Sequence, residues 1–243
     1  MQIITTAIIK GGSGKTTTAA ALAQAAAADG KKVLAIDLDP QGNLSLLLAA
    51  NPETGTAYHL LQGVPAADLI QTTPQGVDVI PAAPDLATEQ TKPNSARRLA
   101  DALEPVKQGY DFIFIDTPPT MGELLYNALR AATGVIIPLA TDATSLQGLY
   151  QITDIIKQMQ GSAPQLEILG VVLTRYDRRA NLNRYLRETI ANTGAEIGAP
   201  LLCEIRAGVA VKEAQAFRRS LYEYAPKSKP AADYLKLYEL IKF

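Results

Sequence analysis

The 243-residue chain has a single cysteine and a single histidine. One cysteine, Cys203, excludes a disulfide framework or a cysteine metal cluster within one chain, and reads as a small buried apolar residue. His59 would have to serve any histidine-ligated metal or Ser-His-Asp triad, and nothing near it in sequence supports either. No run of eighteen apolar residues exists, so no segment reads as a membrane span. No basic leader precedes the first apolar run, which points away from secretion. Long Gly/Ser/Pro linkers, repeats and low-complexity blocks are also missing, and the expectation is one domain over residues 1–243. With 47% hydrophobic and 19% charged residues, the composition is that of a soluble α/β domain with a full core.

An excess of either charge is also missing: the net charge is −1. Its distribution is uneven. Residues 170–243 carry 13 Lys and Arg against 8 Asp and Glu, and the remaining residues carry 10 against 16. That asymmetry suggests a basic face on the C-terminal third. A solvated basic surface accounts for the same counts.

What is present is an alternation. Apolar runs at 2–9, 32–37, 77–80, 110–116, 134–138 and 166–174 read as strands, with helix-period segments near 15–28, 94–106, 121–132, 144–160 and 181–193 between them. Strands apolar throughout need cover on both faces, so the predicted fold is α/β, a doubly wound, mostly parallel sheet with helices on both faces. Residues 51–95, punctuated by Pro52, Pro65, Pro74, Pro81, Pro84 and Pro93, are the least regular part. In open sheets of this kind ligands bind beyond the carboxyl ends of the strands.

Three motifs fall there. Lys10-Gly11-Gly12-Ser13-Gly14-Lys15-Thr16-Thr17 lies between the first strand and an alanine-rich helix. Its glycines let backbone N–H groups turn toward an anion at the helix N-terminus. Lys15 can reach β- and γ-phosphates and Thr16 can sit on Mg²⁺. The usual phosphate-loop pattern has glycine where this chain has Ile9, and Lys10 follows it. The second motif, Asp37-Leu38-Asp39-Pro40-Gln41-Gly42-Asn43, puts two carboxylates two residues apart at a strand end. Side chains so spaced share a side, which suits Asp37 to support of the Mg²⁺ shell and Asp39 to orientation of an attacking water; a plain turn fits the same residues. The third, Ile115-Asp116-Thr117-Pro118-Pro119, ends an apolar strand in an acid, the place of a Walker-B Mg²⁺ ligand.

Together these segments resemble the ParA/Soj/MinD family of deviant Walker-A ATPases. Asn127-Ala128-Leu129, Leu146-Gln147-Gly148-Leu149, Gly170-Val171-Val172-Leu173-Thr174, Glu213-Ala214-Gln215 and Glu223-Tyr224-Ala225-Pro226-Lys227-Ser228 extend the resemblance over essentially the whole chain. It implies ATP and Mg²⁺ as cofactors, with residues 11–17 as the phosphate loop and Thr16, Asp37 and Asp116 at the metal. It also implies Lys10 as a signature lysine reaching a dimer partner's nucleotide, with Lys15 and Asp39 completing the catalytic set. Thr174 and Arg175 stand where the adenine would lie.

The partition branch of that family implies an ATP-bound homodimer that grips DNA without sequence preference through C-terminal basic residues. Here those are Arg178, Arg179, Arg184, Arg187, Arg206, Lys212, Arg218, Arg219, Lys227 and Lys229, with Arg206, Arg218 and Arg219 foremost. Such binding is phosphate neutralisation and weakens steeply with salt. Starting at its first strand, without an N-terminal helix-turn-helix extension, the chain resembles the short partition ATPases. It would then need a ParB-like centromere-binding partner, and be cytoplasmic and nucleoid-associated when ATP-bound. Two other readings stand. A MinD-like membrane-cycling ATPase would use the segment 234–243 as an amphipathic anchor through positions 234, 237, 238 and 241. A metabolic P-loop ligase would need an acceptor pocket that no residue set implies. The nitrogenase iron protein is excluded by the cysteine count.

Overall fold

The computed structural model describes residues 1–92, 96–142 and 144–242; Pro93, the start of the helix expected at 94–106, and Phe243 lie outside them. The strands among these residues are β1 (Gln2–Thr6), β2 (Val33–Asp37), β3 (Gln71–Thr72), β4 (Asp78–Ile80), β5 (Phe112–Asp116), β6 (Gly134–Ala140), β7 (Glu167–Tyr176) and β8 (Leu201–Arg206). They form one sheet in the order β3-β4-β2-β5-β1-β6-β7-β8, with β3 alone antiparallel to its neighbour. The helices are α1 (Lys15–Ala28), α2 (Asn43–Leu47), α3 (Ala57–Leu61), α4 (Ala66–Leu69), α5 (Arg98–Leu103), α6 (Glu123–Ala131), α7 (Ser145–Gln160), α8 (Asn181–Ile197), α9 (Val209–Ala216), α10 (Leu221–Tyr224) and α11 (Lys229–Ile241).

Period-2 alternation along each strand divides the core into two layers. Ile3, Leu34, Ile36, Ile113 and Ile115 pack with residues of α3 to α8 on one face. Ile4, Val33, Ala35, Phe112 and Phe114 pack with α1 and α11 on the other. Both layers are covered, which is why these strands read as continuous apolar runs. Six alanines of α1 are buried, because that helix is enclosed by the sheet and α11 and only small side chains let it approach both.

Some boundaries differ from the sequence reading. The first strand stops at Thr6, where Ala7 to Ile9 leave the sheet to enter the loop. The last central strand runs on to Tyr176. A helix expected to stop before Gly194 continues to Ile197, since a Cβ at 194 would strike the Ala199 carbonyl and only glycine lets the returning chain lie that close. Strand β8 was not expected. Its burial alternates, and Glu204 and Arg206 disguise it as a loop.

Candidate nucleotide-binding site

The loop after β1 and the tips of β2 and β5 converge at the carboxyl end of the sheet. Gly12 and Gly14 take φ of +70° and +96°, and a Cβ on Gly14 would come within 3.0 Å of the Thr174 side chain. Glycine is thus required at 14 on both counts. The Thr174 hydroxyl donates to the Ser13 carbonyl at 2.7 Å and the Leu139 carbonyl at 3.3 Å. Thr174 therefore braces the loop from behind, with 2% of its surface exposed, and its hydroxyl is not free to read a base. Thr174 and Arg175 both line the cavity.

The two lysines of the loop part company. Lys15 is buried, and its ammonium donates to the Lys10 carbonyl at 3.0 Å. Burial lowers its pKa, against the pull of Asp116 and Asp39. Lys10 instead turns outward, pairing with the Asp142 carboxylate and donating to the Thr144 hydroxyl at 2.8 Å. Burial pushes Asp142 up, but the bonds from Lys10 and Thr144 outweigh it and hold the acid below its ordinary value. In this single chain the expected trans lysine is thus held in cis.

Asp37 and Asp116 are paired across β2 and β5 and have no exposed surface. Asp37 accepts from the Ser45 N–H at 2.8 Å, the Ser45 hydroxyl at 2.7 Å and the Asp39 N–H at 3.1 Å. Its oxygens are spent on pinning α2 to the strand end, and it does not line the cavity. Burial raises it to about 6 despite those bonds. Asp116 is pushed up further, to about 8, first by burial and then by Asp37. One of its oxygens accepts from the Thr6 hydroxyl at 3.4 Å; the other, Oδ2, is buried without a partner. An orphaned buried carboxylate oxygen beside Thr16 and a second acid fits a divalent cation, which would relieve both desolvation and like-charge repulsion. Among the described residues no cluster of three or more His, Cys, Asp or Glu could hold a metal unaided, so the remaining ligands would come from Thr16 and phosphate. Asp39, 7% exposed, reaches the cavity wall while one oxygen accepts from the Gln41 N–H at 3.0 Å. The turn and the catalytic reading of Asp39 coexist.

A cavity of about 1060 Å³ opens over the loop, ample for a nucleotide. Its walls include Leu46 and Leu47 of α2, the stretch from Ile205 at the end of β8 to Val209, Val211, and Tyr234 of α11. None of these was singled out from the sequence as a wall of the nucleotide cavity, Arg206 and Tyr234 having been read for other roles, because the wall depends on β8 and on how α9 and α11 return to the loop. Gln215 of α9 donates to the Thr17 hydroxyl at 2.8 Å.

The basic residues separate into two groups. Arg206 donates to Asp233 through its backbone N–H (2.9 Å), Nε (2.8 Å) and Nη2 (2.6 Å). Two of its guanidinium nitrogens are thus engaged and tie β8 to α11, which sets it apart from the other two foremost DNA candidates, Arg218 and Arg219. Arg187 is paired with Glu204. Lys212, Arg218 and Arg219 are exposed, and no carboxylate lies within ion-pair distance of them among the described residues. The apolar face of the terminal helix is also accounted for: Tyr234, Leu237, Tyr238 and Ile241 are buried in the core. None of the described helices is long and apolar enough to cross a membrane. The bland readings of the rare residues hold: Cys203 is buried, which with Glu204 pushes its thiol to about 12, and His59 Nδ1 pairs with the Thr56 hydroxyl at 3.0 Å.

A family model described as an AAA domain matches residues 1–168. The chain is 39% identical over 249 residues to the chromosome partitioning protein ParA of Caulobacter vibrioides, covering 98% of this chain and 92% of that protein. It is 37% identical to the chromosome-partitioning ATPase Soj of Thermus thermophilus, over 95% of this chain and 91% of that one. Among solved structures, cobyrinic acid a,c-diamide synthase of Mycobacterium smegmatis with bound ATP analogue and magnesium superposes with a TM-score of 0.84. It is 29% identical, over 98% of this chain and 93% of that one.

Proposed function

The chain belongs to the ParA/Soj family of P-loop partition ATPases, and from that membership we propose an ATP-dependent homodimer that grips DNA without sequence preference and positions it with a centromere-binding partner. It hydrolyses ATP with Mg²⁺ as cofactor. The observation that carries the DNA reading is continuity. Helix α9 forms a wall of the nucleotide cavity and runs straight into the unpaired pair Arg218-Arg219, so the state of the cavity and the pose of the basic turn share one element.

Each residue has a separable task. Backbone N–H groups of 11–17 cradle the phosphates, and buried Lys15 neutralises charge on the β- and γ-oxygens. Thr16 and the free oxygen of Asp116 would hold Mg²⁺, which would supply positive charge to screen the phosphates. Asp39 orients the attacking water and accepts its proton. Asp37 contributes indirectly by fixing α2, and with it Asp39, through Ser45. Lys10 completes the partner's site when it leaves Asp142, so catalysis waits on dimerisation. The dimer doubles the basic patch and thereby couples DNA affinity to ATP occupancy. DNA binding of this kind would place the ATP form on the nucleoid.

The membrane and ligase readings are weaker. The apolar face an anchor would need is used in the core. The identity to the partition proteins, 37–39%, exceeds the 29% to the synthase, although the fold is common to both.

Asp39→Ala is expected to bind ATP, dimerise, and stay on DNA at low salt with hydrolysis reduced at least about 100-fold, the scale of losing a catalytic acid–base group. A salt-titrated DNA-binding assay without nucleotide, with ADP and with ATP, run beside a phosphate-release assay, checks it. Normal turnover in this variant removes Asp39 from catalysis, and DNA binding indifferent to nucleotide leaves only the ATPase.

A further inference from the structure

Phe217 closes α9 with 63% of its surface exposed, immediately before Arg218 and Arg219. A single exposed apolar side chain is ordinary; this one is stacked on a second ring and carried on a fixed turn. Its ring stacks on Tyr224, centroids 5.7 Å apart at 29°, and the Tyr224 hydroxyl donates to Glu213 at 3.3 Å. The turn behind it is fixed as firmly. Arg218 takes a left-handed φ of +51°, a conformation costly for a side chain with a Cβ unless its surroundings impose it. The Arg218 carbonyl accepts from Gln75 Nε2 at 3.2 Å, and Gln75 is held in turn by Gln24 of α1 (2.7 Å) and the Leu47 carbonyl of α2 (2.9 Å). Tyr222 donates to the Ala21 carbonyl of α1 at 2.9 Å.

The result is an aromatic ring on a rigid turn, flanked by two arginines and Lys212 that have no carboxylate within ion-pair distance among the described residues. Glu213 and Glu223 are the acids of the stretch, and Glu213 is occupied by Tyr224. We infer that Phe217 is an aromatic contact to duplex DNA, seated against a base step while Arg218 and Arg219 hold the flanking phosphates. Charge complementarity selects the partner: the cations bring a polyanion to the turn, and of such partners DNA also offers an apolar stacked surface in its groove. Pre-ordering by Tyr224 and Gln75 keeps the entropic cost of contact small. This rests on the DNA-binding reading above and adds to it a component of affinity that salt does not screen.

That component separates the two kinds of contact. In ATP, with a labelled duplex and a salt titration, Phe217→Ala is expected to weaken binding about tenfold at every salt concentration, leaving the log–log salt slope unchanged. Arg218→Ala is expected to flatten the slope by about 0.9, the value of one phosphate contact. Phe217→Trp should keep wild-type affinity, and a 2-aminopurine duplex should brighten with the wild type and not with Phe217→Ala. The inference is overturned if Phe217→Ala binds as the wild type while Arg218→Ala is weakened. It is equally overturned if sedimentation without DNA shows Phe217→Ala failing to form the ATP dimer, which makes the ring a protein contact. If neither Arg218→Ala nor Arg219→Ala alters DNA binding, the DNA reading itself falls, a result distinct from both.

Discussion

Asp37 and Asp116 sit at the ends of β2 and β5 with no exposed surface, whereas Arg218 and Arg219 stand exposed on a turn after α9. The nucleotide end of the sheet buries like charges side by side; the C-terminal third keeps its charges outside and pairs only some of them. Burial raises the pKa of both acids, Asp37 adds to the rise of Asp116, and the site awaits a cation. Exposed arginines lose little by standing alone in water and wait for a partner at low cost. One region stores unfavourable electrostatics to be released by a bound ligand, and the other stores nothing.

The stored cost is measurable. Without nucleotide and Mg²⁺, folded Asp116 keeps its proton up to about pH 8, while an unfolded chain releases it near the ordinary 3.8. Between those values the folded state binds the additional proton, so stability falls as pH rises, by up to about 1.4 kcal/mol per pH unit. Asp116→Asn has no proton to lose. Its melting temperature should therefore gain on the wild type from about pH 5 to about pH 8 and hold constant above, the largest effect among these variants. A pH-independent gap would mean that Asp116 is solvated and that the contrast between the regions is not electrostatic.

A second break targets the hydrogen bonds that make the buried end tolerable. Ser45 donates twice to Asp37 and its hydroxyl accepts from the Ala82 N–H at 2.8 Å. Ser45→Ala removes the hydroxyl and leaves a buried N–H without an acceptor, at a cost of about 2 kcal/mol. For a chain of this size that lowers the melting temperature by roughly 4–8 °C. Hydrolysis should fall as well, since α2 and Asp39 lose their anchor. Unchanged thermal unfolding would show that Asp37 is fixed by backbone alone.

The sequence was most readable where one cause dominates. Strands β1, β2 and β5 are apolar because both faces are covered, and each delivers its motif at its end; residues 11–17, Asp39 and Asp116 follow from that alone. What depends on a remote partner was hidden. Arg206 looks like any other basic residue until β8 and α11 set it against Asp233, 27 positions away. Lys10 meets Asp142 across 132 positions, and nothing in the sequence shows that Thr174, while lining the cavity, also braces the Ser13 carbonyl 161 positions away. Strand β8 was missed for a related reason: at the sheet edge it alternates, and with Glu204 and Arg206 as its outward members it carries no apolar run.

Arg206 supplies the finest cut, because it separates a charge spent on the fold from a charge left for a ligand. Its guanidinium is 37% exposed and its partner Asp233 13%, so screening discounts the pair relative to a buried one. The two-pronged geometry and the added backbone bond still make it better than an average surface pair. Arg206→Ala should cost about 1 kcal/mol, a fall in melting temperature of roughly 2–4 °C. The salt slope of DNA binding should stay as in the wild type, because a cation already neutralised by Asp233 releases no counterions from DNA. Arg218→Ala should do the reverse, leaving thermal unfolding unchanged and flattening the salt slope. The pair of variants is read best together: if Arg206→Ala also flattens the slope, Asp233 yields its arginine to phosphate when DNA arrives, and the division between paired and waiting charge in the C-terminal third dissolves.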